Sequence, residues 1–306
     1  MTMTAILEMH DVTKRFGKQL VLDHVNLTIQ RGDIYGLIGR NGAGKTTILK
    51  TIVQLLYADS GTIMLFGADT KHGYGKQLKR TGSVIETPVA NDQLTARQNL
   101  KYYCKIKGIV DQDAIEEALN FVGLTDTGNK KFKQFSLGMR QKLGLAIAML
   151  NKPDFLILDE PINGLDPIAI AEFRRLLIKL NQTQQMTILI SSHILEELYQ
   201  MATRFGIIDR GVILKELTKE EFEAQSREYI RLQVDQPQLA ATVLNRMGVQ
   251  DFKVVDQNTI NVYDLSLDNQ TLVEMLVAAN VGVSTIVKEH INLENYFKSI
   301  VEKTGV

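Results

Sequence analysis

Apolar and polar residues alternate in two runs near the start of the chain, through Ile6, Leu7 and Met9 and again through Val25, Leu27 and Ile29. A period of two is the spacing of a strand with one covered face, so two strands are expected within residues 5–30, joined by a turn at Phe16-Gly17. Residues 33–38 form a short apolar strand, and residues 46–53 take up helix spacing directly after a glycine-rich stretch. Residues 61–67 predict another strand, with glycine at both ends. From about residue 90 to 150 the period becomes helical. There Thr95-Ala96-Arg97-Gln98 reads as a capping box, and Ile115, Ala118, Leu119 and Val122 form a stripe at helix spacing. Continuous apolar runs return at 155–158 and 187–190, as in strands buried on both faces of a parallel sheet. Between them Asp166-Pro167 supplies an N-cap and a first-turn proline. Strand and helix alternating in this way predict an α/β layered domain with right-handed crossovers.

After Gly211 the character changes. Thr218-Lys219-Glu220-Glu221 reads as a second capping box, opening a polar linker helix over 218–228. Segments 229–234, 239–247, 252–255, 260–263, 272–279 and 283–287 follow in the order β, α, β, β, α, β, which suggests a small ferredoxin-like module. A closing helix would carry Leu293, Phe297, Ile300 and Val301 on one face. The expected organisation is therefore a main domain over 1–217, with a helical part at about 87–150, then the linker and an α+β accessory domain over 229–306.

Composition narrows the class. The 306 residues include 35 Lys and Arg against 35 Asp and Glu, so no global basic field recruits nucleic acid, and none is expected as a partner. Cys104 stands alone, which excludes an internal disulfide and fits a reducing compartment. No uninterrupted apolar run approaches the roughly 18–20 residues of a membrane span. Met1-Thr2-Met3-Thr4-Ala5-Ile6 lacks the charged start and apolar stretch of a signal peptide. A cytoplasmic protein is expected, with any membrane part supplied by another chain.

The chemistry starts at Gly39-Arg40-Asn41-Gly42-Ala43-Gly44-Lys45-Thr46, a GxxxxGK[ST] loop set between the short strand and the helix that Thr46 and Thr47 open. Glycines let successive backbone N–H groups turn toward one anion, and the helix N-terminus adds its dipole. Lys45 is expected to reach the β- and γ-phosphates of ATP, and the Thr46 hydroxyl to ligate Mg²⁺. The apolar run 155–158 ends in Asp159-Glu160. Asp159 is placed to enter the Mg²⁺ shell, and Glu160, one residue further, to accept a proton from the attacking water.

With these motifs, residues 5–217 resemble the ATP-binding subunit of ABC transporters, a P-loop ATPase. The resemblance implies further roles. Phe16 matches the aromatic that stacks on adenine. Phe135-Ser136-Leu137-Gly138-Met139 matches a degenerate signature, whose Ser136 and Gly138 would contact the γ-phosphate held by an opposite copy. Asn163-Gly164-Leu165-Asp166 matches the D-loop, and His193 the switch histidine that backs the γ-phosphate. Two ATPs would be sandwiched in a homodimer that drives a separate polytopic permease from the inner face of the cell membrane.

Leu137 and Met139 depart from the usual signature, and Glu86 stands where most family members carry a glutamine that contacts Mg²⁺. Glutamate still offers a hard oxygen but adds a charge. Glu86, the Ser-Leu-Gly-Met signature and Leu293-Glu294-Asn295-Tyr296-Phe297 look like the subfamily that clears bacitracin-type and lantibiotic peptides. The alternative is an ABC ATPase without transport, serving as a regulator or sensor or acting on a nucleoprotein. The repair type needs long insertions before the signature, where this chain has about 90 residues, and the ribosomal type usually carries two ATPase domains.

Overall fold

The computed structural model describes residues 4–70, 72–111, 113–225, 228–266, 268–290, 296, 297, 300 and 302. The chain divides into two compact units between Lys219 and Glu220.

The first unit opens with the two alternating runs as one long hairpin, β1 (Ala5–Phe16) antiparallel to β2 (Gln19–Gln30). The apolar run that follows is β3 (Ile34–Ile38), and α1 (Lys45–Ile52) starts directly after the glycine-rich loop. Next come β4 (Ser60–Leu65), the two-residue β5 (Ala68–Asp69), α2 (Tyr74–Leu78) and β6 (Thr81–Val84). The predicted helical stretch holds the helices α3 (Ala96–Lys107), α4 (Ala114–Val122) and α5 (Leu137–Met149). Gly108 and Gly123 close the first two in the left-handed conformation, the usual way a helix stops. The capping box forms, since Gln98 N–H donates to Thr95 Oγ1 at 3.3 Å and Thr95 N–H to Gln98 Oε1 at 2.9 Å. Strand and helix then alternate through β7 (Phe155–Asp159), α6 (Pro167–Gln184), β8 (Thr187–Ser192), α7 (Leu195–Tyr199), β9 (Arg204–Asp209) and β10 (Val212–Thr218).

Two sheets result. β2-β1-β4-β5 is antiparallel, and β10-β9-β3-β8-β7-β6 is parallel apart from its β10 edge. Helix α1 lies in the core they share: Ile48, Leu49 and Ile52 are buried with Met9, Leu27 and Ile29 of one sheet and Leu37, Ile157 and Leu189 of the other. An 8-residue helix is too short to persist alone, and each of these burials stabilises by about 1.5–3 kcal/mol. Packing therefore holds the helix that the phosphate loop feeds.

The second unit opens within α8 (Lys219–Gln225) and continues through β11 (Glu228–Val234), α9 (Pro237–Arg246), β12 (Phe252–Val254), β13 (Thr259–Val262), α10 (Asn269–Ala278) and β14 (Val283–His290). Its sheet runs β12-β13-β11-β14 with every neighbour antiparallel, the split-βαβ arrangement of a ferredoxin-like unit. Ile230, Leu232 and Val234 face Leu244, Leu272 and Leu276 in its core. Of the predicted closing helix, Leu293 and Val301 lie outside the described residues, as do Leu293, Glu294 and Asn295 of the subfamily-like segment. Among the described residues no helix is long and apolar enough to cross a membrane.

The capping box gives a test of the helical part. Thr95→Ala should lower stability by about 1 kcal/mol and leave ATP affinity unchanged, as read by the melting temperature and by titration calorimetry.

Candidate nucleotide-binding site

The site forms where the parallel strands stop. β3 delivers the loop at Gly39, and the pairing of β3 with β8 and of β8 with β7 brings Asp159 level with Ser191. The loop runs against β9 and the β2 hairpin with almost no clearance. A Cβ on Gly39 would lie 2.5 Å from the Ile208 carbonyl oxygen, and one on Gly44, whose φ is 109°, would lie 2.9 Å from Leu22. Larger residues would push the loop off its seat. Gly44 is also the N-cap of α1, and no side chain caps that helix, whereas Thr95, Ser136 and Asp166 cap α3, α5 and α6. The first amides of α1 thus remain available to an anion. Asn41, Gly42, Gly44, Lys45, Thr46 and Thr47 line a cleft there, together with Glu160 and Val21.

Six side chains converge on the cleft. Lys45, only 6% exposed, donates to the carbonyls of Gly39 at 2.7 Å and Arg40 at 3.2 Å, and its Nζ lies 3.1 Å from Glu160 Oε1. The Thr46 hydroxyl donates to Asp159 Oδ2 at 2.8 Å. Asp159 Oδ1 accepts from Ser191 Oγ at 2.6 Å, and Ser191 Oγ in turn accepts the Glu160 N–H at 3.0 Å. His193 Nδ1 lies 2.8 Å from Glu160 Oε2. The other carboxylate oxygen, Oε1, is buried and accepts no hydrogen bond, although the Lys45 ammonium stands beside it. Glu160 itself has φ 45°, an uncommon backbone for a non-glycine residue, which turns the side chain back toward the cleft.

These residues fit ATP and Mg²⁺ on chemistry. An uncapped helix end, a buried ammonium and free loop amides suit a polyphosphate. The Thr46 hydroxyl and Asp159 carboxylate are hard oxygen donors that already meet, as a small divalent cation requires.

Not every predicted residue joins them. Glu86 pairs with Lys50 of α1 at 2.5 Å rather than with Thr46 or Asp159. Phe16 ends β1 at 47% exposure, with the Lys14 ammonium 5.7 Å from its ring, and the apolar residue lining the cleft is Val21 instead. Ser136 caps α5 through the Met139 N–H at 3.3 Å, and neither it nor Gly138 lines the cleft. Leu137 reaches toward Gly164, so the substituted signature residue packs on the D-loop of its own chain. Asp166 accepts the Ala169 N–H at 2.9 Å and so caps α6.

Ser191 was not anticipated from the sequence. Its signal is a polar residue directly after the apolar run of β8, meaningful only once β8 is known to neighbour β7.

Comparison with known proteins identifies the family and the fold. Residues 22–163 match the family described as ABC transporter. The bacitracin transport ATP-binding protein BcrA of Enterococcus faecalis is 38% identical over 100% of this chain and 99% of its own. The lantibiotic transport ATP-binding protein SrtF of Streptococcus pyogenes is 43% identical over 69% of this chain and 90% of its own. Among solved structures, the ATP binding subunit of an ABC transporter is 29% identical with a TM-score of 0.63, covering 72% of this chain and 92% of that one.

Ser191 yields the second test. Removing its hydroxyl in Ser191→Ala frees Asp159 and the Glu160 amide together, and should lower Mg²⁺ affinity or ATP turnover about 10–100-fold with the melting temperature kept. An unchanged Mg²⁺ titration and an unchanged rate would show that the hydroxyl does not orient the pair.

Proposed function

The chain belongs to the ABC transporter ATP-binding family, and from that premise we propose that it powers a separate membrane permease that clears peptide antibiotics of the bacitracin or lantibiotic kind. The observation that carries the cargo class is the likeness to BcrA, which runs the full length of the chain and so includes the ferredoxin-like unit. In this reading residues 1–217 are the ATPase domain, 218–228 a linker and 229–306 an accessory domain. The protein works as an ATP-sandwich homodimer, peripheral on the inner face of the cell membrane.

The site residues divide the work. The loop from Gly39 to Thr47 and the Lys45 ammonium hold the β- and γ-phosphates, which draw Lys45 toward the anion. Thr46 and Asp159 would hold Mg²⁺. When bound, that ion neutralises charge developing between the β- and γ-phosphates. Glu160 is held by His193 through Oε2, which leaves Oε1 to take a proton from water. The water oxygen bonds to the γ-phosphorus as the bridging P–O bond breaks, giving ADP and phosphate. His193 thereby sets which carboxylate oxygen acts. Ser136 and Gly138, at the start of α5, offer amides to the γ-phosphate bound by the second copy, and Phe16 offers a face to the adenine.

Glu160→Gln keeps the shape of the site and removes the base. It should bind ATP, lose turnover by about 10²–10⁴-fold, and run as an ATP-dependent dimer on size-exclusion chromatography. Tagged in its native cell and solubilised with ATP, it should co-purify with a polytopic membrane protein, whose deletion sensitises the cell to bacitracin-type or lantibiotic peptides. Recovery of ribosomes or DNA-bound proteins, with no membrane protein, would overturn the transport reading and leave the ATPase standing.

A further inference from the structure

Two glutamates of the first unit occupy matching places on neighbouring strands. Val84, the last residue of β6, pairs with Leu158 of β7, and a glutamate stands two residues beyond each, Glu86 and Glu160. Both have left-handed backbone, φ 63° at Glu86 and 45° at Glu160, a conformation that costs free energy in a residue with a Cβ. Both are met by a lysine of α1. Lys45 stands 3.1 Å from Glu160 Oε1, and Lys50 stands 2.5 Å from Glu86 Oε1. Lys50 follows Thr46 by four residues, one helical turn, so it lies on the same face of α1 as the hydroxyl offered to Mg²⁺.

The segment after Glu86 is fixed from the other side. The Tyr103 hydroxyl of α3 donates to the Val89 carbonyl at 2.7 Å. Pro88 packs onto Gly144 of α5, where an added Cβ would lie 2.8 Å from its ring. At the near end of this segment Ile85 packs against the core that holds α1, and Lys50 adds a polar contact from the same helix to Glu86. The Glu86 side chain is 61% exposed and that of Lys50 28%. An ion pair so open to water adds little to stability, and its effect is on the local field and on where the carboxylate points.

We propose that Lys50 is a positioning residue of the nucleotide site, which holds the Glu86 carboxylate and offsets its charge so that an acid can stand at the end of β6 beside a bound triphosphate. The inference rests on the nucleotide-site reading above. Without Lys50 the Glu86 charge would repel the phosphates uncompensated, which should weaken ATP binding about fivefold.

The test is a mutant cycle on the full-length protein, with ATP affinity measured by calorimetry in EDTA at low salt, where turnover does not intrude. Lys50→Met and Lys50→Gln should each weaken ATP binding about fivefold, with the loss shrinking at 0.5 M salt, while Lys50→Arg restores affinity. Melting temperatures should stay within about 2 °C of the parent, because the pair is exposed. Adding Glu86→Gln to Lys50→Met removes the charge that Lys50 offsets, so the double variant should bind ATP within about twofold of the parent. A double variant as weak as Lys50→Met alone would mean that Lys50 acts on the nucleotide directly, and no loss in Lys50→Met would mean that the pair is idle. Both overturn the proposal. A parent protein that bound no ATP at all would overturn the site reading along with it.

Discussion

Parallel pairing of β3, β8, β7 and β6 decides where every polar group of the site is found. Strands buried on both faces carry their charged and hydroxyl side chains at their ends, where Asp159, Ser191 and Ser192 are still buried and a charge must be paired. All four strands run the same way, so their ends gather at one edge of the sheet. The loop at Gly39, Ser191-Ser192-His193, Asp159-Glu160 and Glu86 are successive strand ends along that edge. A slip of one residue between β7 and β8 would separate Ser191 from Asp159 and leave the Thr46–Asp159 contact without its second support.

The charges at this edge are arranged so that no acid is left bare. Asp159 is hydrogen-bonded by two hydroxyls, Glu160 lies between a histidine and an ammonium, and Glu86 has its own lysine. A triphosphate entering such a site would otherwise meet three carboxylates. The helix between the sheets supplies both lysines, five residues apart, while its packed face of Ile48, Leu49 and Ile52 points into the core. The same eight residues therefore serve binding on one side and the fold on the other.

The phosphate loop, the Asp159-Glu160 pair and the strand–helix alternation were legible because each is local: a spacing, a run, a cap. Thr95 with Gln98 and Asp166 with Pro167 formed the caps their spacing predicted. The order of elements in the second unit was legible for the same reason. The pairing of distant residues was not. Ser191 acquires meaning from a neighbour 32 positions away, and the Lys50–Glu86 pair spans 36. Glu86 read alone suggested a metal ligand, and its lysine lay in an unremarked turn of helix. Leu137 looked like a damaged signature, yet it packs toward Gly164, a contact visible only once α5 and the D-loop are placed together.

The far end of α1 is as firmly fixed as its start. The carbonyl of Ile52, the last helical residue, accepts from the buried hydroxyl of Tyr74 at 2.7 Å. An eight-residue helix is about 12 Å long and too short to bend. Gripped at one end by Tyr74 and wedged between two sheets along its length, it works as a strut rather than a spring. Force applied at its mouth cannot be absorbed within it, and leaves through whatever its side chains hold.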